Sequence, residues 1–214
     1  MLKKLIGIVV LTLLGATVVY SLTAEAVFDR LRARYAKCAG LKADFTQSRC
    51  DTVSGTCRRS TGRLELAKPD KLRMEVATPR KQLLVADGQA LYLYEEGSKQ
   101  ATKQAITGST QQTPLGDLFF GKEKAFTIEY VLEDSSVSAG GHPLKLTPKG
   151  TEAPFKTVTL LVDPKTYACT RVELRTLDEE HHVFDLEKEK LLKKVDPKQF
   201  TFTPPAGVAV VEAN

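Results

Sequence analysis

Between Gly62 and Val76 the chain alternates apolar and polar residues twice. Leu64 and Leu66 alternate with Arg63 and Glu65, then Leu72, Met74 and Val76 alternate with Arg73 and Glu75. Successive side chains of a strand point to opposite faces. The pattern therefore predicts two half-buried strands joined around Lys68-Pro69-Asp70, with one apolar face in common. The same alternation predicts strands over Ala43–Cys50, Thr56–Ala67, Lys71–Ala77, Gln82–Asp87 and Ala90–Glu95. It resumes over Ala125–Glu133, Pro143–Thr147, Lys156–Val162, Ala168–Thr176, His182–Glu189 and Gln199–Thr203. Asp87-Gly88 and Asp163-Pro164-Lys165-Thr166 carry hairpin-turn chemistry between neighbouring strands.

Two stretches depart from the two-residue period. Ala24–Ala39 places Val27, Phe28, Leu31, Tyr35 and Cys38 at helical spacing, with Arg30, Arg32, Arg34 and Lys37 on the remaining surface. Gly40 is the expected stop. Later, 97–112 is polar, and Thr113-Pro114-Leu115-Gly116-Asp117-Leu118-Phe119-Phe120 reads as a short helix with Thr113 as its cap. A long loop with an apolar helical segment is either a lid over a site or a plug in the core. The predicted architecture is mainly β with α: one curved antiparallel sheet of about ten to eleven strands, one long helix and a helical lid segment.

The first residues belong to a different chemistry. Lys3 and Lys4 precede an apolar run from Leu5 to Val19, and Ala24-Glu25-Ala26 offers a small-x-small cleavage site. This is the layout of an export signal, and the run is short for a spanning helix, which needs about 20 residues. The expectation is a cleaved leader over residues 1–26 and a single domain over 27–214, located in the periplasm and soluble after cleavage. No Cys stands at the leader's end for acylation; the first is Cys38. Loss of Lys3, Lys4 and Glu25 takes the formal charge from +5 to about +4, with acids and bases interspersed. That mild balance argues against a nucleic-acid surface.

In an exported chain the four cysteines can be oxidised. Cys50 and Cys57 flank a hairpin loop and are candidates to bridge it, leaving Cys38 and Cys169 to pair or to stay as buried thiols. Four cysteines allow three connectivities. Catalytic chemistry is sparse. His142 lies in a Gly-Gly-His-Pro turn, and His181 and His182 follow Glu179-Glu180 at an expected hairpin end. These positions read as solvated turns rather than metal ligands. No nucleophile elbow, metalloprotease helix, phosphate loop or dinucleotide fingerprint occurs. The expectation is a protein that is no enzyme and needs neither cofactor nor metal.

Ordered motifs add a resemblance. They are Phe45-Thr46-Gln47, Gly62 with Leu64, Lys68-Pro69, Val85 with Asp87-Gly88, Leu91-Tyr92 with Tyr94, Thr113-Pro114, and a Phe200-Thr-Phe-Thr-Pro-Pro-Ala-Gly-Val208 ending. Together they resemble the periplasmic lipoprotein carrier family, LolA, over nearly the whole mature chain. The resemblance implies an incomplete antiparallel barrel closed by helices, a cavity for the acyl chains of lipoproteins, and a monomeric carrier. It implies two further partners, an inner-membrane ABC transporter that releases lipoproteins and an outer-membrane lipoprotein receptor of the same fold. An acyl cavity would draw on Leu31 and Tyr35 of the helix, on Leu64, Leu66, Leu72, Met74 and Val76, and on Leu115, Leu118 and Phe119 of the lid. Lys68 stands where the family often has an arginine that holds the lid closed, and would be the latch. The alternative is a lipid- or lipoprotein-sensing domain of an envelope regulator.

Overall fold

The structure, a computed structural model, describes residues 22–106, 119, 126–130, 140–149 and 155–213. Residues 1–21 of the expected leader, Leu115 and Leu118 lie outside the described residues, whereas 22–26 of that leader run into α1. A helix, α1 (Ala24–Ala36), precedes β1 (Gly40–Asp51), β2 (Cys57–Ala67), β3 (Lys71–Thr78), β4 (Gln82–Ala86), β5 (Ala90–Glu95) and β6 (Gln100–Ala105). Then come β7 (Phe126–Tyr130), β8 (His142–Pro148), β9 (Phe155–Val162), β10 (Cys169–Thr176), β11 (Glu180–Leu192), a 3-10 turn (Pro197–Phe200) and β12 (Ala209–Glu212).

The described strands form one 12-stranded sheet in the order β12-β6-β5-β4-β3-β2-β1-β11-β10-β9-β8-β7. It is two antiparallel meanders, β1 to β6 and β7 to β11, joined where β1 pairs with β11. Its ends, β12 and β7, are not neighbours, so the sheet is open rather than a closed barrel. β12 lies parallel to β6, whereas the other described pairings are antiparallel.

Thr23 caps α1, its hydroxyl accepting from the Ala26 N–H at 3.2 Å. Val27, Phe28, Leu31 and Tyr35 form its buried stripe. The helix ends at Ala36, three residues before the sequence-based boundary, because the Ala39 N–H is already taken by the Leu192 carbonyl of β11 at 2.7 Å. Gly40 is therefore the first residue of β1, not a helix stop. A Cβ there would sit 2.4 Å from the Leu66 carbonyl oxygen. Gly62 answers a similar constraint at the β2 bulge: its Cβ would lie 2.0 Å from the Glu75 carbonyl oxygen and 2.9 Å from the Phe45 ring.

Two further expectations need correction. β6 (Gln100–Ala105) lies inside the stretch read as a polar loop. Its alternation is muted because only Ala101 is buried. Gln199–Thr203 is not a strand. The segment lies across the outer face of β3 to β5, where every strand already has both neighbours. Phe200 is fully buried, and Phe202 stacks on Tyr92 with centroids 5.1 Å apart. An extended strap on a sheet face buries every second side chain, just as a strand does.

Candidate functional site: the inner face of the sheet

The strand register places the apolar residues in rows across one face. Leu64, Met74, Leu84 and Leu93 stand side by side from β2 to β5, and Leu66, Leu72, Ala86 and Leu91 form the next row. In the other meander Phe184, Val172, Leu160 and Leu144 continue the face through β11, β10, β9 and β8. Helix α1 lies over this surface. Leu31 and Tyr35 join Leu64, Leu66, Leu72 and Met74 in a single buried cluster, with Val76, Leu84 and Leu91 partly buried at its margin. Phe119 enters the same cluster and meets Tyr35 edge to face, ring centroids 4.8 Å apart. The inner-face residues expected from the sequence thus share one space, which α1 and Phe119 fill.

Leu84, Leu91 and Leu93 escaped the sequence-based set. Their signal was present in the register: Gln82–Ala86 continues the alternation of Leu72–Val76 one strand further. Leu93 is exposed on the inner face, where the row from Leu64 runs out from under the helix.

Polar contacts fix α1 at its C-terminal half. The Tyr35 hydroxyl donates to Glu189 Oε2 at 2.6 Å and accepts from the Cys169 N–H at 3.0 Å. Burial raises the Tyr35 pKa, and the Glu189 carboxylate adds to the effect. Arg34 Nη2 donates to the other Glu189 oxygen at 2.7 Å. Lys68 Nζ donates to the carbonyls of Tyr35 at 3.2 Å and Ala36 at 2.8 Å. That places a cation on the negative end of the helix. Lys68 thus grips the N-terminal helix, whereas 113–118 of the expected lid lie outside the described residues.

Cys50 and Cys57 are disulfide-bonded at the end of the β1–β2 hairpin. The alternative pairing of Cys38 with Cys169 does not occur: both are buried free thiols, donating to the carbonyls of Tyr35 and Arg171 respectively. Burial raises both thiol pKa values. His181 and His182 lie within β11 rather than in a turn, within hydrogen-bond reach of Glu173 at 3.3 Å and of Glu180 at 2.8 Å. No cluster among the described residues has the ligands to hold a metal ion.

The opposite face has different chemistry. A hollow of about 880 Å³ there is walled by Lys42, Asp44, Arg63, Glu65, Arg73 and Glu75. Most of these are paired, as in Lys42–Glu65 and Arg73–Glu75. A hydrogen bond from Lys188 holds the Asp44 carboxyl below its ordinary range. Acyl chains have no counterpart on this wall, so the outer hollow, though large, is not the apolar site.

Residues 36–203 match the family described as outer membrane lipoprotein carrier protein LolA. The chain belongs to the LolA family. The match runs from the last turn of α1 through both meanders to the strap. This LolA chain is 29% identical over 184 residues to the outer-membrane lipoprotein carrier protein of Methylococcus capsulatus, covering 86% of each. It is 28% identical over 200 residues to that of Salmonella paratyphi A, covering 92% of this chain and 93% of the relative. A solved structure of an uncharacterized conserved protein from Thermus thermophilus shares the fold, with a TM-score of 0.52 at 12% identity over 89% of this chain and 99% of that one. The family is one of carriers, not of enzymes. No helix among the described residues is long and apolar enough to cross a membrane.

Proposed function

We propose that this LolA-family protein is an exported carrier that shelters the acyl chains of lipoproteins against the inner face of its sheet. It would move them from the inner to the outer membrane. The observation that carries this reading is the aliphatic inner face under a cover, α1, whose polar ties are concentrated near Lys68 and Glu189. Burying a methylene is worth about 0.8 kcal/mol. Three chains of about fifteen methylenes would then cost on the order of 30 kcal/mol to expose, so a lipoprotein cannot leave a bilayer unaided. Displacing α1 and Phe119 would offer Leu64, Leu66, Leu72, Met74 and Val76 in exchange. Leu115 and Leu118 would add to the cover, and Lys68 would serve as its latch. Aliphatic and thioether side chains adapt to lipid without fixing its chemistry.

In this reading residues 1–26 are an export leader, and the mature domain works in the periplasm as a monomer. It would receive cargo from an inner-membrane ABC transporter and surrender it to an outer-membrane receptor. The test uses spheroplasts carrying a labelled acylated lipoprotein, to which the protein from the soluble periplasmic fraction is added. The carrier should bring label into solution as a one-to-one complex. Leu93→Glu, at an exposed inner-face position, should fold normally and release little. No release by the unaltered protein, or full release by the variant, would count against the reading. Met74→Glu is the poorer probe, since Met74 is packed in the core.

A further inference from the structure

Two exposed apolar residues lie on neighbouring hairpin tips at one end of the sheet. Val53 is 83% exposed and Leu177 is 58% exposed, more than any other large apolar residue among those described. Isolated exposed apolar residues are ordinary, but these two sit on adjacent hairpin tips that are tied to each other. The Thr52 N–H donates to the Glu179 carbonyl at 2.9 Å, and the Thr52 hydroxyl donates to the same oxygen at 2.5 Å. The Cys50–Cys57 disulfide closes the first tip, and Asp51 braces it by accepting from the Val53 and Ser54 N–H groups at 2.8 Å.

These tips also project. β3 pairs with β2 only from Thr61 onward, so Cys57 to Ser60 run past its end, paired with β1 alone. Arg58 and Arg59 are exposed on that projection and Arg175 is exposed on β10. None of the three makes an ion pair among the described residues. The acids nearby are largely engaged: Glu180 with Arg49 and His182, Glu179 with Lys156, Asp51 with the turn. Asp178 is the remaining carboxylate, held below its ordinary range by a hydrogen bond from Thr176.

We propose that the paired tips form a docking point for an anionic phospholipid surface. Val53 and Leu177 enter the headgroup boundary while Arg58, Arg59 and Arg175 meet lipid phosphates. A projecting, disulfide-closed tip with an apolar point and arginines that make no ion pair among the described residues suits a soft planar surface better than a protein pocket. Such contacts give weak, salt-sensitive attachment. The inference adds a place of contact to the carrier reading but does not need cargo, so the two can fail separately.

The test is flotation of the protein from the soluble periplasmic fraction, free of cargo, with phosphatidylglycerol/phosphatidylethanolamine vesicles and with phosphatidylcholine vesicles. Binding should favour the anionic vesicles and fall with salt. Val53→Asp with Leu177→Asp should weaken it about tenfold, and Arg58→Gln with Arg59→Gln should remove the preference for anionic lipid. An unchanged melting temperature would show that each variant folds. Equal binding to both vesicle types, no binding by the unaltered protein, or undiminished binding by the Val53/Leu177 variant would overturn the proposal.

Discussion

Tyr35 and Glu189, 154 positions apart in sequence, meet in a 2.6 Å hydrogen bond that ties α1 to β11. The same hydroxyl satisfies the Cys169 N–H, so one oxygen joins the helix to two strands of the second meander. Tyr35→Phe keeps the ring against Phe119 and removes both contacts. The expected loss is about 1–3 kcal/mol, because a buried N–H and a carboxylate oxygen lose a partner. Amide hydrogen exchange should show α1 opening faster while β1 to β3 stay protected.

Lys68 acts on the same helix through its last carbonyls. Lys68→Met removes the cation at the C-terminal carbonyls and should cost about 0.5–1 kcal/mol. Its larger effect should be on cargo, with faster exchange of a fluorescent acyl probe at nearly unchanged melting temperature. Lys68→Arg should slow that exchange, since a planar fork can hold two carbonyls at once. Equal exchange rates in all three proteins would remove Lys68 from the latch.

Gly62→Ala should be severe. The new methyl would meet the Glu75 carbonyl, which belongs to the backbone of β3 and cannot turn aside. A loss of more than about 3 kcal/mol is expected, at the upper end for overpacking. Urea denaturation gives the number, and a loss under about 1 kcal/mol would mean that the β2 bulge relaxes.

Reducing the hairpin tip should be milder. Replacing Cys50 and Cys57 by Ser together frees a loop with a sequence separation of 7 and should cost about 2–3 kcal/mol by the chain-entropy account. The sheet should survive, with the local loss read as faster exchange at 51–56.

Alkaline pH probes the buried acids. Burial raises the Tyr35 and Cys169 pKa values, so the folded state keeps these groups neutral. Their contribution is complete below the unfolded values, about 8.5 for the thiol and about 10 for the phenol, and declines as pH rises above them. The urea midpoint should therefore fall steadily above about pH 8.5, and Cys169→Ala should flatten the first part of that fall.

The apolar rows were legible because alternation is local: Leu64, Leu66, Leu72, Met74 and Val76 announce their shared face without reference to the rest of the chain. What covers that face was legible in part, through the helical spacing of Leu31 and Tyr35. The strap was misread because Phe200 and Phe202 alternate whether they lie in a sheet or on one. β6 was missed since its burial rests on Ala101 alone. Nor could Lys68 be assigned to the helix carbonyls, or Glu189 to Tyr35, because those partners are set by tertiary approach and leave no periodic trace.

The pairing of β1 with β11 has a kinetic consequence. Gly40 lies opposite Leu192, so the seam between the meanders joins nearly the two ends of the domain. Folding with such high contact order is slow, and the core beneath α1 cannot close until β11 has been made. A nascent chain in that condition stays threadable, which suits the export proposed above, in which a polypeptide passes a translocation pore before it folds. Moving the β11 sequence to the N-terminus by circular permutation should speed folding and, by the same act, hinder export.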